Sequence, residues 1–391
     1  MEGNGSMMGL LRRVAAALGL VALCWTTGCA GFWVYPGSSS SGSSSTSGDI
    51  VYVANETAET VSGFVVGTGS LTAVSGSPVS LGFSPTALAV NPADSILFVA
   101  GSSQIAAYSI GTGGVLGSLS SGVTGGLLDV VAMDISPDGQ WLFALDGTLA
   151  SNMVTVYEFQ INSSTGALTQ EGGASISITT ATPPPSPSAI KVSPVASNGQ
   201  QYVFVALGTG GDLSILFNTA ASSGALSSPT QMTLTSLPQY TSDNALTVNA
   251  DSTILYIARS NSSLAGVIAS YSIGSNGVLT PVAQGATGVM PSAVDLNAAG
   301  TGVYVANRTD GTISEFSTTT SGGLTLLGTI DSGSLPIGLA VDNTGDYLLA
   351  ASNGGSSDLT MYSFDSTTTG KLDSSAATAT GTGPVAIAAT H

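Results

Sequence analysis

The stretch that decides the fold is Gly300–Gly328, GTGVYVANRTDGTISEFSTTTSGGLTLLG. Its β-branched and aromatic run, Val303–Ala306, is typical of a buried strand. A turn containing Asp310-Gly311 follows, and Thr312–Ser317 then alternates apolar and polar residues as a second strand. A glycine turn and a third strand occupy Gly322–Leu327. The stretch therefore predicts one antiparallel unit of short strands.

The same unit recurs along the chain. It is marked by a Gly-x-Leu turn before the last strand of each unit, at places spaced 45 to 58 residues apart. These turns begin at Gly69, Gly114, Gly166, Gly224, Gly277, Gly322 and Gly370. A period of this length with several short strands per unit predicts a β-propeller. We therefore expect an all-β domain of seven four-stranded blades over residues 49–391.

The first and last units predict how the ring closes. Ile50–Asn55 repeats the strand at Val303–Asn307, but no inner strand precedes it. An inner-strand pattern, Pro or Ser followed by x-Ala-Ile-x-Val, occurs in each later unit and a last time at Pro384–Ala389. We expect Pro384–Ala389 to pair with Ile50–Asn55, which completes the seventh blade and leaves no open edge in the ring.

The composition argues against several classes of function. The chain has only 7% charged residues and a net charge of −17, so a basic patch for nucleic acid or anionic lipid head groups is not expected. His391 is the single histidine, and Cys24 and Cys29 are the two cysteines. A Ser-His-Asp triad and a zinc site are therefore not expected either. We predict a monomer without a metal or cofactor.

The N-terminal segment predicts export. Residues 1–28 are typical of a signal peptide, with Arg12-Arg13 followed by the apolar run Val14–Cys24. The small residues before Cys29 resemble the bacterial lipoprotein box, which implies lipidation of Cys29; an ordinary secretory signal is the alternative. Residues 29–48 contain a Ser/Gly-rich tether. We expect a domain that the lipid alone holds to the cell envelope. Resemblance to known lipoproteins implies the outer membrane, with the domain in the periplasm or facing the surface.

Two motifs carry a family resemblance that covers residues 49–391. Tyr304–Arg308 resembles the repeats of bacterial YVTN-type propellers. Pro336–Asp342, together with Thr369–Leu372, resembles the seven-bladed lactonase family, which includes propeller-type 6-phosphogluconolactonases. The resemblance implies a small-molecule partner, a sugar-derived lactone that is bound and hydrolysed. The alternative is a non-catalytic propeller that binds a glycan, a peptide or another envelope protein.

One level of the inner strands collects the candidate catalytic residues. Opening a lactone needs a base, a water and a donor to the developing oxyanion. Aligned inner strands place Asp134, Lys191, Thr247 and Asp295 at one level near the axis, on four neighbouring blades. We predict that the two aspartates and Lys191 are catalytic and that Thr247 contacts substrate. The alternative is a buried Lys–Asp pair that closes the gap between blades.

The remaining candidate site uses the few basic residues. Arg259 and Arg308 both follow the second strand of consecutive units. Because equivalent places on neighbouring blades lie close together, we predict that Arg259, Asn307 and Arg308 bind substrate at one mouth of the ring. The alternative is a surface or inter-blade ion pair, for instance with Asp310.

Overall fold

The computed structural model describes residues 49–391 apart from 120–123, 149–152, 179–185, 209–212, 218–225, 228, 232–239 and 276. The expected export signal (1–28), lipidation site (Cys29) and tether (29–48) lie outside the described residues and stay predictions. Within the described ranges there is no helix whose length and apolar composition would let it cross a bilayer.

The described residues form 28 strands and one 3₁₀ turn, Thr112–Gly114. The strands are, in chain order, β1 (Ile50–Asn55), β2 (Thr60–Gly67), β3 (Ser70–Ala73), β4 (Val79–Ser80), β5 (Pro85–Val90), β6 (Ile96–Ile110), β7 (Leu116–Ser118), β8 (Thr124–Ile135), β9 (Trp141–Asp146), β10 (Met153–Ile161), β11 (Leu168–Ser177), β12 (Pro187–Val192), β13 (Gln201–Leu207), β14 (Leu213–Phe217), β15 (Thr230–Gln231), β16 (Tyr240–Val248), β17 (Ile254–Asn261), β18 (Ala265–Ile273), β19 (Leu279–Val289), β20 (Pro291–Leu296), β21 (Gly302–Asn307), β22 (Thr312–Thr318), β23 (Leu324–Asp331), β24 (Pro336–Val341), β25 (Tyr347–Ser352), β26 (Leu359–Phe364), β27 (Leu372–Thr378) and β28 (Pro384–Ala389).

Seven blades stand around one axis. Their inner strands, from blade 1 to blade 7, are β28, β5, the second half of β8, β12, β16, β20 and β24. Each inner strand contacts the next, and β24 contacts β28, so the inner strands form a closed cycle. Four-stranded antiparallel sheets run outward from the axis, as in the order β20-β21-β22-β23 of blade 6. The predicted seven-bladed, all-β propeller is confirmed.

Blade 1 is completed by both ends of the described chain. Strand β28 pairs antiparallel with β1, in the register Val51↔Ala389 to Asn55↔Pro384. Beyond the strands, the Ile50 N–H donates to Thr390 Oγ1 at 2.9 Å, and the Thr390 N–H donates to the Ile50 carbonyl at 2.9 Å. The predicted ring closure by Pro384–Ala389 on Ile50–Asn55 is therefore present.

Blades 2 and 3 do not form two separate four-stranded sheets. The Ile110 N–H donates to the Ser95 carbonyl at 2.8 Å, so β6 folds back on itself, with Ser103 at φ +76° in the reversal. Strand β8 pairs with β6 in its first half and with β9 in its second, which joins the two blades into one hydrogen-bonded sheet. Blade 1 also carries the extra two-residue strand β4.

A ring of buried aromatic side chains lies opposite the axial level, the inner-strand position that carries Asp134, Lys191, Thr247 and Asp295. In six blades an aromatic residue of the second strand pairs with the axial level, and all six are fully buried. These are Tyr52, Phe98, Phe143, Phe204, Tyr256 and Tyr304, opposite Ala388, Ala89, Asp134, Lys191, Thr247 and Asp295. In blade 7, Leu349 pairs with Ala340. The strand pairing therefore confirms the alignment of the inner strands that the sequence predicted.

The Gly-x-Leu turn is a contact between blades. A Cβ at Gly114 of blade 2 would lie 2.8 Å from Ile50 of blade 1, and Gly114 has φ +80°. Its carbonyl also accepts a 2.7 Å hydrogen bond from the Tyr52 hydroxyl of blade 1. A Cβ at Gly322 would similarly come within 3.1 Å of Ile254 in the preceding blade. Glycine recurs in this turn because it lets each blade dock closely on the one before.

One face of the ring, the upper face, carries the turns between second and third strands and the links that enter the inner strands. Backbone hydrogen bonds join the two sets, as from Arg308 N–H to the Met290 carbonyl at 2.9 Å. Asn353 N–H donates in the same way to the Leu335 carbonyl at 2.9 Å. The opposite, lower face carries the turns between first and second strands.

Candidate functional site

The axial level holds four polar residues on consecutive blades. Asp134, Lys191, Thr247 and Asp295 lie on the inner strands of blades 3 to 6, and each is at most 3% exposed. The three other blades present alanine at this level, at positions 89, 340 and 388. The polar groups therefore share one level on one side of the ring, as the sequence predicted, and we call them the axial cluster; their catalytic and substrate-binding roles stay predictions.

Asp134 and Lys191 form a buried ion pair between blades 3 and 4. Lys191 Nζ lies 3.5 Å from Asp134 Oδ2. The same carboxylate accepts hydrogen bonds from the N–H of Val192 at 2.7 Å and from the N–H of Ile135 at 2.9 Å. Burial raises the pKa of Asp134, and the Lys191 ammonium and these N–H groups oppose the rise. Asp134 thus bridges two inner strands while it neutralises a buried cation.

Asp295 occupies the equivalent place in blade 6 with fewer partners. Its Oδ1 accepts a hydrogen bond from the Leu296 N–H at 2.8 Å. Its Oδ2 makes no hydrogen bond of normal geometry to a described residue, although the Val341 N–H is near enough to lower the carboxyl's pKa. Burial outweighs this N–H and the more distant Lys191, and raises the pKa of Asp295 to about 7. A carboxyl that titrates near neutral pH is suited to general base chemistry.

Thr247 lies between Lys191 and Asp295 in the blade order. Its hydroxyl oxygen is buried and has no hydrogen-bond partner in the described part of the chain. The cluster therefore has a base, a cation and an uncommitted hydroxyl at one level. Because its members are at most 3% exposed, a ligand reaches them only if neighbouring side chains move.

Arg259 is not at the mouth of the ring, contrary to the prediction. It lies inside β17, is 4% exposed, and pairs through Nε with the carboxylate of Asp243 on β16. Its guanidinium also donates to the Tyr240 carbonyl at 2.8 Å and to the Tyr271 hydroxyl at 3.3 Å. The alternating pattern of β17 turns this position into the blade, where Asp243 satisfies the charge. Arg259 therefore holds blade 5 together and is not exposed to a ligand.

Asn307 is buried at the end of β21 with its amide fully used. Its Nδ2 donates to Thr312 Oγ1 at 3.0 Å and to Ser314 Oγ at 2.9 Å, and its Oδ1 accepts from the Gly288 N–H at 2.9 Å. Asn55 repeats the two donated bonds in blade 1. The residue shapes the turn, and its role in substrate binding stays a prediction.

Arg308 is the predicted binding residue that reaches the surface. Its side chain is half-buried on the upper face, and it makes no ion pair with any residue that the structure describes. Asp310, the expected partner, instead accepts a 2.7 Å hydrogen bond from the Val289 N–H. No hydrogen bond or ion pair among the described residues links Arg308 to Arg259 or to the axial cluster.

Sequence reasoning missed a set of bridges nearer the upper face. In several inner strands the residue three positions before the axial level donates to the carbonyl of the residue four positions before that level in the next blade. The donors and acceptors are Thr86 to Val130, Ser188 to Asp243, Asn244 to Pro291 and Ser292 to Pro336. The recurrence of Thr, Ser or Asn three residues before the axial level was the signal. Among the described residues no three His, Cys, Asp or Glu side chains are placed to hold a metal.

One family model matches part of this chain. A model described as "Lactonase, 7-bladed beta-propeller" matches residues 284–389, which span the end of the outer strand of blade 5, blades 6 and 7 and the inner strand of blade 1. The resemblance predicted from the motifs is confirmed over these residues. Among curated proteins, none matches the chain.

Solved structures share the fold over most of the chain. A periplasmic gluconolactonase from Pseudomonas aeruginosa has a TM-score of 0.69 at 18% identity, over 88% of this chain and 99% of that one. A protein from Bacteroides fragilis, provisionally assigned as a 6-phosphogluconolactonase, has a TM-score of 0.68 at 18% identity, over 90% and 100%. A protein from Lactobacillus plantarum has a TM-score of 0.66 at 19% identity, over 88% and 99%. At these identities the likeness shows the fold.

Proposed function

We propose that the chain is an exported, envelope-anchored propeller of the lactonase type that binds and opens an uncharged, sugar-derived lactone. The observation that carries this proposal is the axial cluster, in which Asp295, with a pKa of about 7, stands within electrostatic reach of Lys191. The match of residues 284–389 to the lactonase family and the likeness to a periplasmic gluconolactonase support the same class of substrate.

The axial cluster supplies the groups that ring opening needs. The Asp295 carboxylate takes a proton from water while the water oxygen bonds to the lactone carbonyl carbon. The Lys191 ammonium stabilises the negative charge that develops on the carbonyl oxygen. The bond from that carbon to the ring oxygen then breaks, and the alkoxide takes the proton back from Asp295. One water is consumed, and a hydroxy acid is formed. Asp134 acts as a positioning residue, because it holds Lys191.

An uncharged lactone fits the charges better than a phosphorylated one. A phosphate group needs cationic partners, and three of the described Lys and Arg residues already face carboxylates. Those pairs are Lys191 with Asp134, Arg259 with Asp243, and Lys371 with Glu315. The net charge of −17 opposes a dianionic ligand further.

Turnover of a panel of aldonolactones by the purified chain tests the catalytic part. We expect Asp295→Asn and Lys191→Met each to lower kcat/KM by about 100-fold or more, the usual contribution of an acid–base or oxyanion group. Asp373→Asn, an exposed acid on the outer strand β27, is the matched control and is expected to leave kcat/KM unchanged. Turnover equal in all four proteins, or a loss confined to thermal stability, leaves the axial cluster with a structural role only.

The anchoring part rests on the N-terminal sequence and has its own test. Cells that produce the full chain are expected to incorporate labelled palmitate into it, and Cys29→Ser is expected to abolish the label. Secretion of a soluble chain without label would indicate an ordinary signal peptide instead.

A non-catalytic propeller that binds a glycan is the second candidate, favoured by the near-complete burial of the axial cluster. A cleft of about 220 Å³ on the lower face between blades 5 and 6 offers it a site, lined by Asn249, Asp251, Asn297 and Thr320 among others. Absence of aldonolactone turnover, together with saccharide binding that Asp251→Asn weakens, would favour this candidate.

A further inference from the structure

Three large apolar residues on the upper face adopt a backbone conformation that normally belongs to glycine. Leu264, Met290 and Leu335 have φ values of +63°, +57° and +56°. For residues with a side chain this left-handed region is unfavourable, because Cβ comes too close to the backbone. Such residues persist where a function or strong packing requires them.

Packing does not account for Leu335. Met290 and Leu335 each precede the proline that opens an inner strand, Pro291 in blade 6 and Pro336 in blade 7. At the same place before Pro384 the chain has Gly383, with φ +74°. Glycine therefore suits this position without strain. The Leu335 side chain is 41% exposed, so burial offsets little of the cost.

The three residues lie side by side around the mouth of the ring. The Met290 N–H donates to the Leu264 carbonyl at 2.7 Å, which joins two of them directly. The Ser292 hydroxyl donates to the Pro336 carbonyl at 2.7 Å, which places the Leu335-Pro336 link beside the start of β20. We call Leu264, Met290 and Leu335 the apolar rim. It spans blades 5 to 7 on the upper face.

Arg308 adjoins the apolar rim. Its N–H donates to the Met290 carbonyl at 2.9 Å, and its half-buried side chain forms no ion pair with a described residue. The other arginine of this region, Arg259, is occupied by Asp243. The nearby Asp310 carboxylate is held by the Val289 N–H. The rim thus combines one exposed leucine and two partly buried apolar side chains with one guanidinium that pairs with no carboxylate among the described residues.

We propose that the apolar rim and Arg308 form a binding site for a small amphiphile with an aliphatic chain and a carboxylate head. The chain contacts Leu264, Met290 and Leu335, and the carboxylate accepts hydrogen bonds from the Arg308 guanidinium, whose planar fork matches a carboxylate. A single negative charge fits a chain with net charge −17 better than a dianion does. The site is separate from the axial cluster and does not depend on hydrolysis there.

Calorimetric titration of the purified full chain with decanoate, decanamide and acetate tests the site. We expect decanoate to bind, and decanamide and acetate each to bind about tenfold more weakly or worse, since each lacks one of the two recognised parts. Leu335→Gly is expected to weaken decanoate binding by about tenfold while the melting temperature stays constant or rises, because strain is relieved. Arg308→Gln is expected to remove the preference for decanoate over decanamide.

Leu326→Ala is the matched control, because Leu326 is 51% exposed on the outer strand β23, away from the rim. It is expected to leave decanoate binding unchanged. The proposal is overturned if the wild-type chain does not bind decanoate. It is also overturned if Leu326→Ala weakens binding as much as Leu335→Gly, or if Leu335→Gly lowers the melting temperature and leaves the affinity as it was.

Discussion

Asp134 and Asp295 stand at the same register in blades 3 and 6, each opposite a buried aromatic residue, yet their surroundings differ. Asp134 has the Lys191 ammonium at 3.5 Å and hydrogen bonds from two backbone N–H groups. Asp295 has one such bond, to Leu296 N–H, and an oxygen without a partner of normal geometry among the described residues. Burial raises the pKa of both carboxyls, but the same side chain in the same place bridges two blades with a full set of partners in one case and keeps an oxygen without a normal hydrogen bond in the other.

The contrast recurs farther from the axis at Glu315 and Glu158. Both lie in third strands, opposite Tyr304 and Phe143. Glu315 accepts from the Leu372 N–H at 2.8 Å and from Lys371 Nζ at 3.1 Å. The Glu158 carboxylate accepts a hydrogen bond from the Leu226 N–H, and no lysine among the described residues forms an ion pair with it. Burial raises the pKa of Glu158. The repeated blade geometry therefore places a carboxyl group at equivalent positions in different blades. A neighbouring cation then makes the surroundings of that group differ from one blade to another.

Removing the carboxylate of Asp134 is expected to have the largest effect on this comparison. Asp134→Asn removes the carboxylate that lies 3.5 Å from Lys191 Nζ, and the loss of one partner of a buried ion pair costs about 3–5 kcal/mol. Asp295→Asn at pH 8 removes a buried carboxylate whose ionisation is disfavoured by burial, so it is expected to raise the free energy of unfolding. Urea unfolding of both variants measures the difference. Equal losses would mean that the two aspartates are held alike.

The pH dependence of Asp295 sharpens the comparison with an intermediate effect. Its pKa in the folded chain is about 7, above the ordinary 3.8, so its contribution to stability is full below pH 3.8 and is lost as the pH rises through 7. Between these values the free energy of unfolding of the wild type, relative to Asp295→Asn, is expected to fall by up to about 1.4 kcal/mol per pH unit. Parallel curves of stability against pH for the two proteins would contradict this assignment.

The smallest effect is expected at Lys371. Lys371→Met converts the Glu315 site into one like that of Glu158, but Lys371 is 37% exposed. A pair with one partner in water contributes about 0.2–1 kcal/mol, so the free energy of unfolding is expected to fall by no more than that. Chemical unfolding at low and high salt measures the change, and salt is expected to reduce it. A loss comparable to that of Asp134→Asn would show that exposure does not weaken this pair.

The periodic features of the molecule were predictable from sequence. A repeated pattern predicts the inner strands, the closure of blade 1 and the level shared by Asp134, Lys191 and Asp295, because each unit resembles the next. Arg259 was misplaced because its partner Asp243 stands at the position where most of the inner strands have proline. The surroundings of Asp295 include Lys191 and Val341 of other blades, which a single strand pattern does not contain.

The pairing of β28 with β1 sets the order of events during synthesis. Its flanking hydrogen bond joins residues 340 positions apart, so the ring cannot close until nearly the whole described chain has been made. Until then β1, with the apolar sequence IVYVAN, has an unpaired edge that can accept an extended segment from another molecule. Bonds between residues so distant in sequence also form slowly. The newly made chain is therefore open to pairing between molecules during the interval before its last strand is made.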